Sequence, residues 1–439
     1  MADPTAHGIP AAVSTGPPPR RLNRAVFAST VGNVIESYDF ILYALMATVV
    51  LPSVFFPGQS TTSGVLLSFA TYFVAFVARP VGGLFFGHIG DRHGRKRALL
   101  TTLLLMGVGT AGIGLVPGHD QIGAAAPVAL VALRVCQGLA LGGEWTGAAL
   151  LAMESGSRRE VGYRTGFPQA ANLLGMSAAT LVLLVLRLLP DMDFFAWGWR
   201  IAFLLSAALI TLGMWLRLRV EETATFTGMV QAGTTSRWPL LDLVRHQPAT
   251  VVLCTLLKCG DMVVYYLFTV FILAYGPTVG YDQSFLLLSV AIGAAVLGLA
   301  TPLFGMLGDL LGHLRVAVAG AVAAALVCLC YFPVFNAGNE LGTVLLILVS
   351  LTTYSMMFAN QGAIFGLAFA PAWRYSGGSV VINTAGLIAS GPAPFVTTAL
   401  FATLGTTGVA GYGVGACLIT VAASAVLLAG RHSGPDDLR

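Results

Sequence analysis

Apolar residues in this chain neither alternate with polar ones nor keep to one helical face. They run on for twenty residues or more, stop at short clusters of Gly, Pro and charged residues, and resume. Twelve such runs can be delimited, at 26–50, 64–88, 97–117, 125–153, 163–188, 198–219, 248–275, 284–308, 314–335, 342–370, 378–402 and 407–430. A helix needs about 20 apolar residues to cross a bilayer, so each run predicts a crossing. Barrel strands would show alternation over about ten residues, which these runs lack. The longest polar interruption, Glu221 to Gln247, divides the chain near its middle. The pattern therefore predicts an all-α membrane protein of twelve transmembrane helices in two six-helix bundles. Its expected parts are a tail at 1–24, a first bundle at 25–220, a central loop at 221–247, a second bundle at 248–430 and a tail at 431–439.

The basic residues give this arrangement a direction. Arg20, Arg21 and Arg24 precede the first run, Arg92, Arg95, Lys96 and Arg97 follow the second, and Arg158, Arg159 and Arg164 follow the fourth. Arg217, Arg219, Arg237 and Arg245 flank the central loop, and Arg315, Arg374 and Arg431 continue the alternation. The opposite loops, around Pro57, His119, Pro277 and Asn336, carry no Lys or Arg, with Arg187 and Arg200 as the exceptions. Positive residues stay on the cytoplasmic side, so both termini and the central loop are expected there.

Composition narrows the function. Of 439 residues, 56% are hydrophobic and 10% charged, with a mean hydropathy of +0.82. Soluble domains carry about 25% charged residues, which excludes an ordinary soluble enzyme, a disordered protein and a nucleic-acid binder. The N-terminal stretch shows no small-residue cleavage site behind its apolar run and is expected to stay uncleaved. All six cysteines lie inside apolar runs, where a thiol packs as a small hydrophobe. No G-x-x-x-x-G-K-[ST] loop, H-E-x-x-H pair or Cys/His cluster is present, so no ATP-driven pump, metal enzyme or cofactor is expected.

An internal repeat supports the two halves. Leu84-Phe85-Phe86-Gly87-His88-Ile89-Gly90-Asp91 leads to Gly94 and Arg97, and Pro302-Leu303-Phe304-Gly305-Met306-Leu307-Gly308-Asp309 leads to Gly312 and Arg315. Phe, Gly, Gly, Asp, Gly and Arg recur at one offset, after the second run of each half. Parallel six-helix repeats build many secondary transporters. Through these residues the chain resembles the major facilitator superfamily. Within it, the chain looks like the metabolite:proton symporter family, which includes bacterial porters of shikimate, α-ketoglutarate, citrate and proline or betaine. The resemblance covers nearly the whole chain after the tail. Its most specific piece runs from Gly87 through Asp91, Arg92, Gly94, Arg95 and Lys96 to Arg97. The subfamily markers are Gly32 to Phe40, Arg79-Pro80-Val81-Gly82-Gly83, Arg134 through Gly142-Gly143-Glu144, and Gly198-Trp199-Arg200. The chain departs from the pattern at Ser37, where Trp is usual, and at Leu310, His313 and Leu314, where Arg or Lys is common. It also lacks an acidic residue before Arg374.

Charges inside the runs are the candidate chemistry, because a charge at mid-bilayer costs about 2.5–3.5 kcal/mol on insertion scales and normally faces a cavity or a partner. They are Glu36, Asp39, Arg79, Arg134 and Glu144 in the first half, and Lys258 and Asp261 in the second. Glu36, Asp39 and Tyr43 share one helix face, and two carboxylates brought close there can share a proton. In the proton symporters the chain resembles, an Asp of helix one and an Arg of helix four form a switchable pair, and Asp39 and Arg134 hold those positions. Proton coupling is therefore expected at Asp39, Glu36, Arg134 and Glu144, although Glu144 reads equally as a hydrogen-bonded helix contact. Lys258 and Asp261, three apart, either neutralise each other or leave Lys258 to anchor a substrate carboxylate. Tyr38, Tyr43, Arg134, Gln169, Asn172, Lys258, Asp261, Tyr265, Asn360, Gln361 and Asn383 are the candidate substrate contacts. By resemblance, Gly87, Asp91, Arg92, Gly94, Arg95 and Lys96, with Asp309 in the second copy, form a gate that closes the cytoplasmic side.

The expected activity is proton-coupled import of a small organic acid or zwitterion by alternating access, in a monomer crossing the bacterial plasma membrane many times, with no nucleic-acid partner. A proton-coupled exporter is the alternative, but the fifth run, Gly166 to Gly175, lacks the Gly-Pro-x-x-x-Gly signature common in such antiporters. A membrane sensor would need an added signalling domain, and the tails are short.

Overall fold

A computed structural model describes residues 19–93, 95–142, 144–154, 158–218, 243, 245–370 and 373–429; several side chains within them, those of 87–99 and 144–145 included, lie outside that description. The described residues form helices joined by short turns, with no strand among them. Nine of these helical stretches are long and apolar enough to cross a membrane. The first half contains α1 (Pro19–Val49), α2 (Thr61–His93), α3 (Arg95–Leu115), α4 (Ala125–Leu141), α5 (Glu144–Glu154), α6 (Val161–Leu186) and α7 (Trp199–Leu218). The second half contains α8 (Pro248–Tyr266), α9 (Gln283–Leu311), α10 (His313–Phe335), α11 (Glu340–Ala359), α12 (Gln361–Ala368), α13 (Arg374–Ala385) and α14 (Ala393–Ala429).

Two boundaries differ from or refine the sequence reading. α1 starts at Pro19, inside the expected tail. Proline suits a helix start, where its missing N–H would have no partner anyway. At the other end of the chain, helix continues from Arg374 to Ala429, but Gly405 interrupts it with φ 63° and ψ −153°. A residue with a Cβ resists that backbone conformation, so Gly405 marks the break expected between the runs ending at 402 and starting at 407.

Polarity is arranged inside out. Val77, Val81, Leu84 and Phe85 of α2 and Leu299, Leu303 and Leu310 of α9 are exposed, while Asp39, Arg134, Lys258 and Asp261 are buried. In water that exposed apolar surface would be costly; against lipid it is the expected outer face. Small residues let the inner helices touch. Gly142, between α4 and α5, packs on the backbone of Arg79 and Gly82 in α2 with no room for a Cβ, and Gly162 of α6 and Gly305 of α9 meet backbone to backbone across the two halves. Further along the same inter-half seam, Gly298 of α9 packs on Leu174 of α6. Two π-helical turns, Leu267–Phe271 after α8 and Gly386–Ser390 after α13, stand beside the central cavity. Such turns re-aim side chains that a regular helix would place elsewhere.

Candidate substrate and proton site

A cavity of about 170 Å³ lies between the two halves. α1 contributes Glu36, Ser37 and Phe40, α2 contributes Tyr72, Phe76 and Arg79, and the second half contributes Lys258, Asp261, Tyr265, Tyr354 and Phe358. Of the candidate residues from the sequence, Glu36, Asn172, Lys258, Asp261, Tyr265 and Asn383 line it. Tyr38, Asp39, Tyr43, Arg134, Gln169, Asn360 and Gln361 stand behind its wall. Glu144 has its side chain outside the described residues, as do Asp91, Arg92, Arg95 and Lys96 of the loop motif. Gly87 falls in the same undescribed stretch, and Gly94 lies outside altogether.

Behind the first-half wall, Asp39 and Arg134 are joined through intermediates. Asp39 accepts hydrogen bonds from Ser206 Oγ and, at 3.1 Å, from Thr110 Oγ1. Gln137 Nε2 donates to the same Thr110 oxygen at 2.7 Å, and Arg134 donates to Gln137 Oε1 at 2.7 Å and to the Tyr72 carbonyl at 3.2 Å. The expected direct ion pair is thus replaced by a relay from Asp39 through Thr110 and Gln137 to Arg134. The Arg134 guanidinium instead lies 3.9 Å from the Tyr43 ring centroid and 5.1 Å from that of Tyr72. It is fully buried behind those rings, which removes it from substrate contact in this conformation. Tyr43 pairs with Thr71, and the Tyr38 hydroxyl donates to the Ala202 carbonyl at 2.8 Å, so both tyrosines bind their own bundle.

The second-half wall holds a closed triangle. Lys258 Nζ donates to Asp261 Oδ2 and to Gln361 Oε1, each at 2.7 Å, and Gln361 Nε2 donates back to Asp261 Oδ1 at 2.5 Å. The i,i+3 spacing makes the Lys258–Asp261 contact legible in the sequence. The third member, Gln361, comes from a helix a hundred residues away and carries no local signal. Two further candidates tie the halves together. Asn172 Nδ2 donates to the Tyr354 hydroxyl at 2.6 Å, and Gln169 Nε2 donates to the Phe358 carbonyl at 3.2 Å. Asn383 Nδ2 likewise donates to the Gly142 carbonyl at 2.7 Å.

Inter-half contacts flank the cavity on both sides. At one end Asp309, on the last turn of α9, accepts from the backbone N–H groups of Gly162 and Tyr163 at 2.7 and 2.8 Å. Those donors are unsatisfied groups at the N-terminus of α6, where a carboxylate is favoured. His313 stands in the place of a basic residue: Nε2 lies 3.5 Å from Asp309 and Nδ1 lies 3.0 Å from Asn360 Oδ1. Asn360 therefore serves this cluster rather than the cavity, and the Asp309–His313 i,i+4 spacing is its one sequence signal. At the other end Phe69 meets Tyr266 with ring centroids 6.1 Å apart, and Phe73 meets Phe395 at 6.4 Å.

The sequence profile of the Major Facilitator Superfamily matches residues 39–394. The chain is 36% identical over 388 residues to the shikimate transporter of Escherichia coli K12, covering 87% of this chain and 88% of that one. It is 34% identical to the inner membrane metabolite transport protein YhjE of the same organism, over 92% of each chain. A proline/betaine transporter of E. coli is 31% identical over 84% of this chain and 76% of its own length. The fold is similar to that of the E. coli xylose transporter XylE in a partially occluded inward open conformation, with a TM-score of 0.71, 17% identity and coverage of 95% of this chain and 99% of that one. These sequence relatives are transporters, not enzymes.

Proposed function

Since the chain belongs to the Major Facilitator Superfamily, we propose that this membrane transporter is a proton-coupled importer of a small organic acid or zwitterion. It works in the plasma membrane as a monomer, with twelve crossings and both termini in the cytoplasm. Twelve crossings are consistent with the nine apolar stretches once Arg374–Ala429 is divided at Gly405 and α1 and α3 are counted. The observation that carries the reading is the cavity. Ionic side chains from both halves converge there, inside a shell of apolar helices where packing alone gives no reason to keep them. The likeness to shikimate and proline/betaine transporters supports this substrate class.

Asp39 is the proton carrier in this scheme. Its proton state is felt at Arg134 through Thr110 and Gln137, and Arg134 bears on the carbonyl and ring of Tyr72, which faces the cavity. Protonation and substrate occupancy thus act on one aromatic wall, and their joint presence favours the passage between the two open states. The cytoplasmic end closes through Asp309 on the N-terminus of α6. Glu36, Glu144 and the Gly87–Arg97 motif keep their proposed coupling and gating roles.

The test is uptake into proteoliposomes of labelled shikimate, proline, glycine betaine and simple monocarboxylates, under an imposed inward proton gradient, an imposed sodium gradient, or neither. Gradient-dependent accumulation with protons alone is expected. Accumulation driven by sodium with the proton gradient collapsed, or proton-driven expulsion only, would overturn the reading in favour of sodium coupling or export.

A further inference from the structure

We propose that Arg79 is the substrate-binding cation, and that it selects a monocarboxylate whose remaining body is uncharged. The inference rests on the transport reading above and narrows its substrate class. Two cations line the cavity among the described residues, Arg79 and Lys258. Lys258 is committed to Asp261 and Gln361. Among the described residues, no carboxylate lies within ion-pair distance of Arg79. Its Nε is buried without a hydrogen-bond partner, and its guanidinium lies over the rings of Phe40 and Phe76, with centroids at 4.3 and 4.6 Å. A buried donor left unmade is costly, and a stacked guanidinium keeps its planar edge free for a two-pronged bond to a carboxylate. Asn33 adds a buried side-chain amide on the same cavity with neither its N nor its O bonded.

The position of Arg79 is built rather than incidental. Gly142 packs on the Arg79 backbone, Pro80 follows it inside α2, and the π-helical turn Gly386–Ser390 passes its guanidinium. The surrounding rings argue against a second positive charge on the substrate. A quaternary ammonium needs aromatic faces, yet of the rings that line the cavity Arg79 covers Phe40 and Phe76, and Lys258 lies 4.3 Å from the Phe358 centroid. A substrate cation seated on any of those three rings would meet one of the two protein cations that line the cavity. The carboxylate end meets the opposite situation, a guanidinium with no carboxylate within ion-pair distance among the described residues, Glu36 lining the same cavity farther off.

Binding to the purified protein, measured without any gradient, separates this inference from proton coupling. The probes are shikimate, benzoate and cyclohexanecarboxylate, their methyl esters, and glycine betaine. At least one carboxylate should bind at millimolar concentration or below, its ester should not compete, and glycine betaine should bind more weakly. Arg79→Gln should lower the carboxylate's affinity at least about tenfold, the scale of a lost charge-assisted hydrogen bond. Arg79→Lys keeps the cation but not the fork, so it should fold normally, bind more weakly than wild type, and still prefer acid over ester. No binding by any carboxylate, equal binding of acid and ester, tightest binding of glycine betaine, or unchanged affinity in a folded Arg79→Gln each overturns the proposal. Carboxylate binding at Arg79 without proton-driven uptake would leave this inference intact and remove the coupling scheme. Proton-driven uptake of betaine alone would do the reverse.

Discussion

Asp39 has two hydroxyl donors at its carboxylate and, among the described residues, no cation within ion-pair distance. Asn at this position can keep both contacts, because Thr110 and Ser206 can each donate or accept. Asp39→Asn is therefore expected to fold and to exchange substrate across the membrane, while losing accumulation driven by a pH gradient. Counterflow and gradient-driven uptake in the same vesicles measure both; unchanged accumulation would move the proton to Glu36 or Glu144. Lys258 behaves differently, because its partner is ionic and buried with it. Lys258→Met alone leaves Asp261 uncompensated and should destabilise the protein by about 3–5 kcal/mol. Adding Asp261→Asn should recover most of that loss, which thermal unfolding in detergent would register; equal melting of single and double variants would count against the pair. Spacing along one helix is enough to suggest the Lys258–Asp261 contact from the sequence. Asp39, Arg134 and Arg79 stand out there as membrane-embedded charges, and only the family resemblance sets Asp39 and Arg134 apart as a pair. Which of them is paired, relayed or left open depends on Thr110, Gln137, Ser206 and Phe40, which come from other elements or carry no charge.

At the level of elements, continuous apolar runs mark the helices well, because the bilayer demands length and apolarity together. The joins are less legible. α1 reaches back to Pro19, and the π-helical turns at Leu267–Phe271 and Gly386–Ser390 have no counterpart in the apolar pattern. The second copy of the repeat reads as weakened by its missing basic residues, yet Asp309 ties α9 to the start of α6, and His313 takes the place of a lost base. Asp309→Asn removes the charge but keeps most of the shape. It should shift the balance toward the state open at that end by about tenfold, given about 1.5–3 kcal/mol for a hydrogen bond to a charged group. A cysteine introduced as Thr165→Cys, buried beside Gly362 of α12, reports this through its labelling rate. Faster labelling in Asp309→Asn is expected, and an unchanged rate would show that the Gly162–Gly305 contact holds the end closed alone.

For the whole molecule, the sequence suggests two halves through the repeat and through the polar stretch at 221–247, most of which lies outside the described residues. The seam between the halves is not legible there, because Gly162, Gly305, Asn172 and Tyr354 are individually unremarkable among 52 glycines and many intramembrane polar residues. At that seam lies a cavity lined by ionic residues, with the hydrogen-bonded chain from Asp39 to Arg134 behind its first-half wall and the Asp309 contact at one end, and the proposed coupled transport draws on all three. The central claim is that substrate and proton cross together. It is tested most directly by trapping a pH-sensitive dye inside proteoliposomes, with no gradient imposed, and adding outside a carboxylate that the uptake panel shows to be carried. The interior should acidify as the carboxylate enters through the wild-type protein, and should hold its pH with Asp39→Asn although counterflow of the same compound persists. Entry of the carboxylate through the wild-type protein with the interior pH unchanged, or rising, would contradict the account.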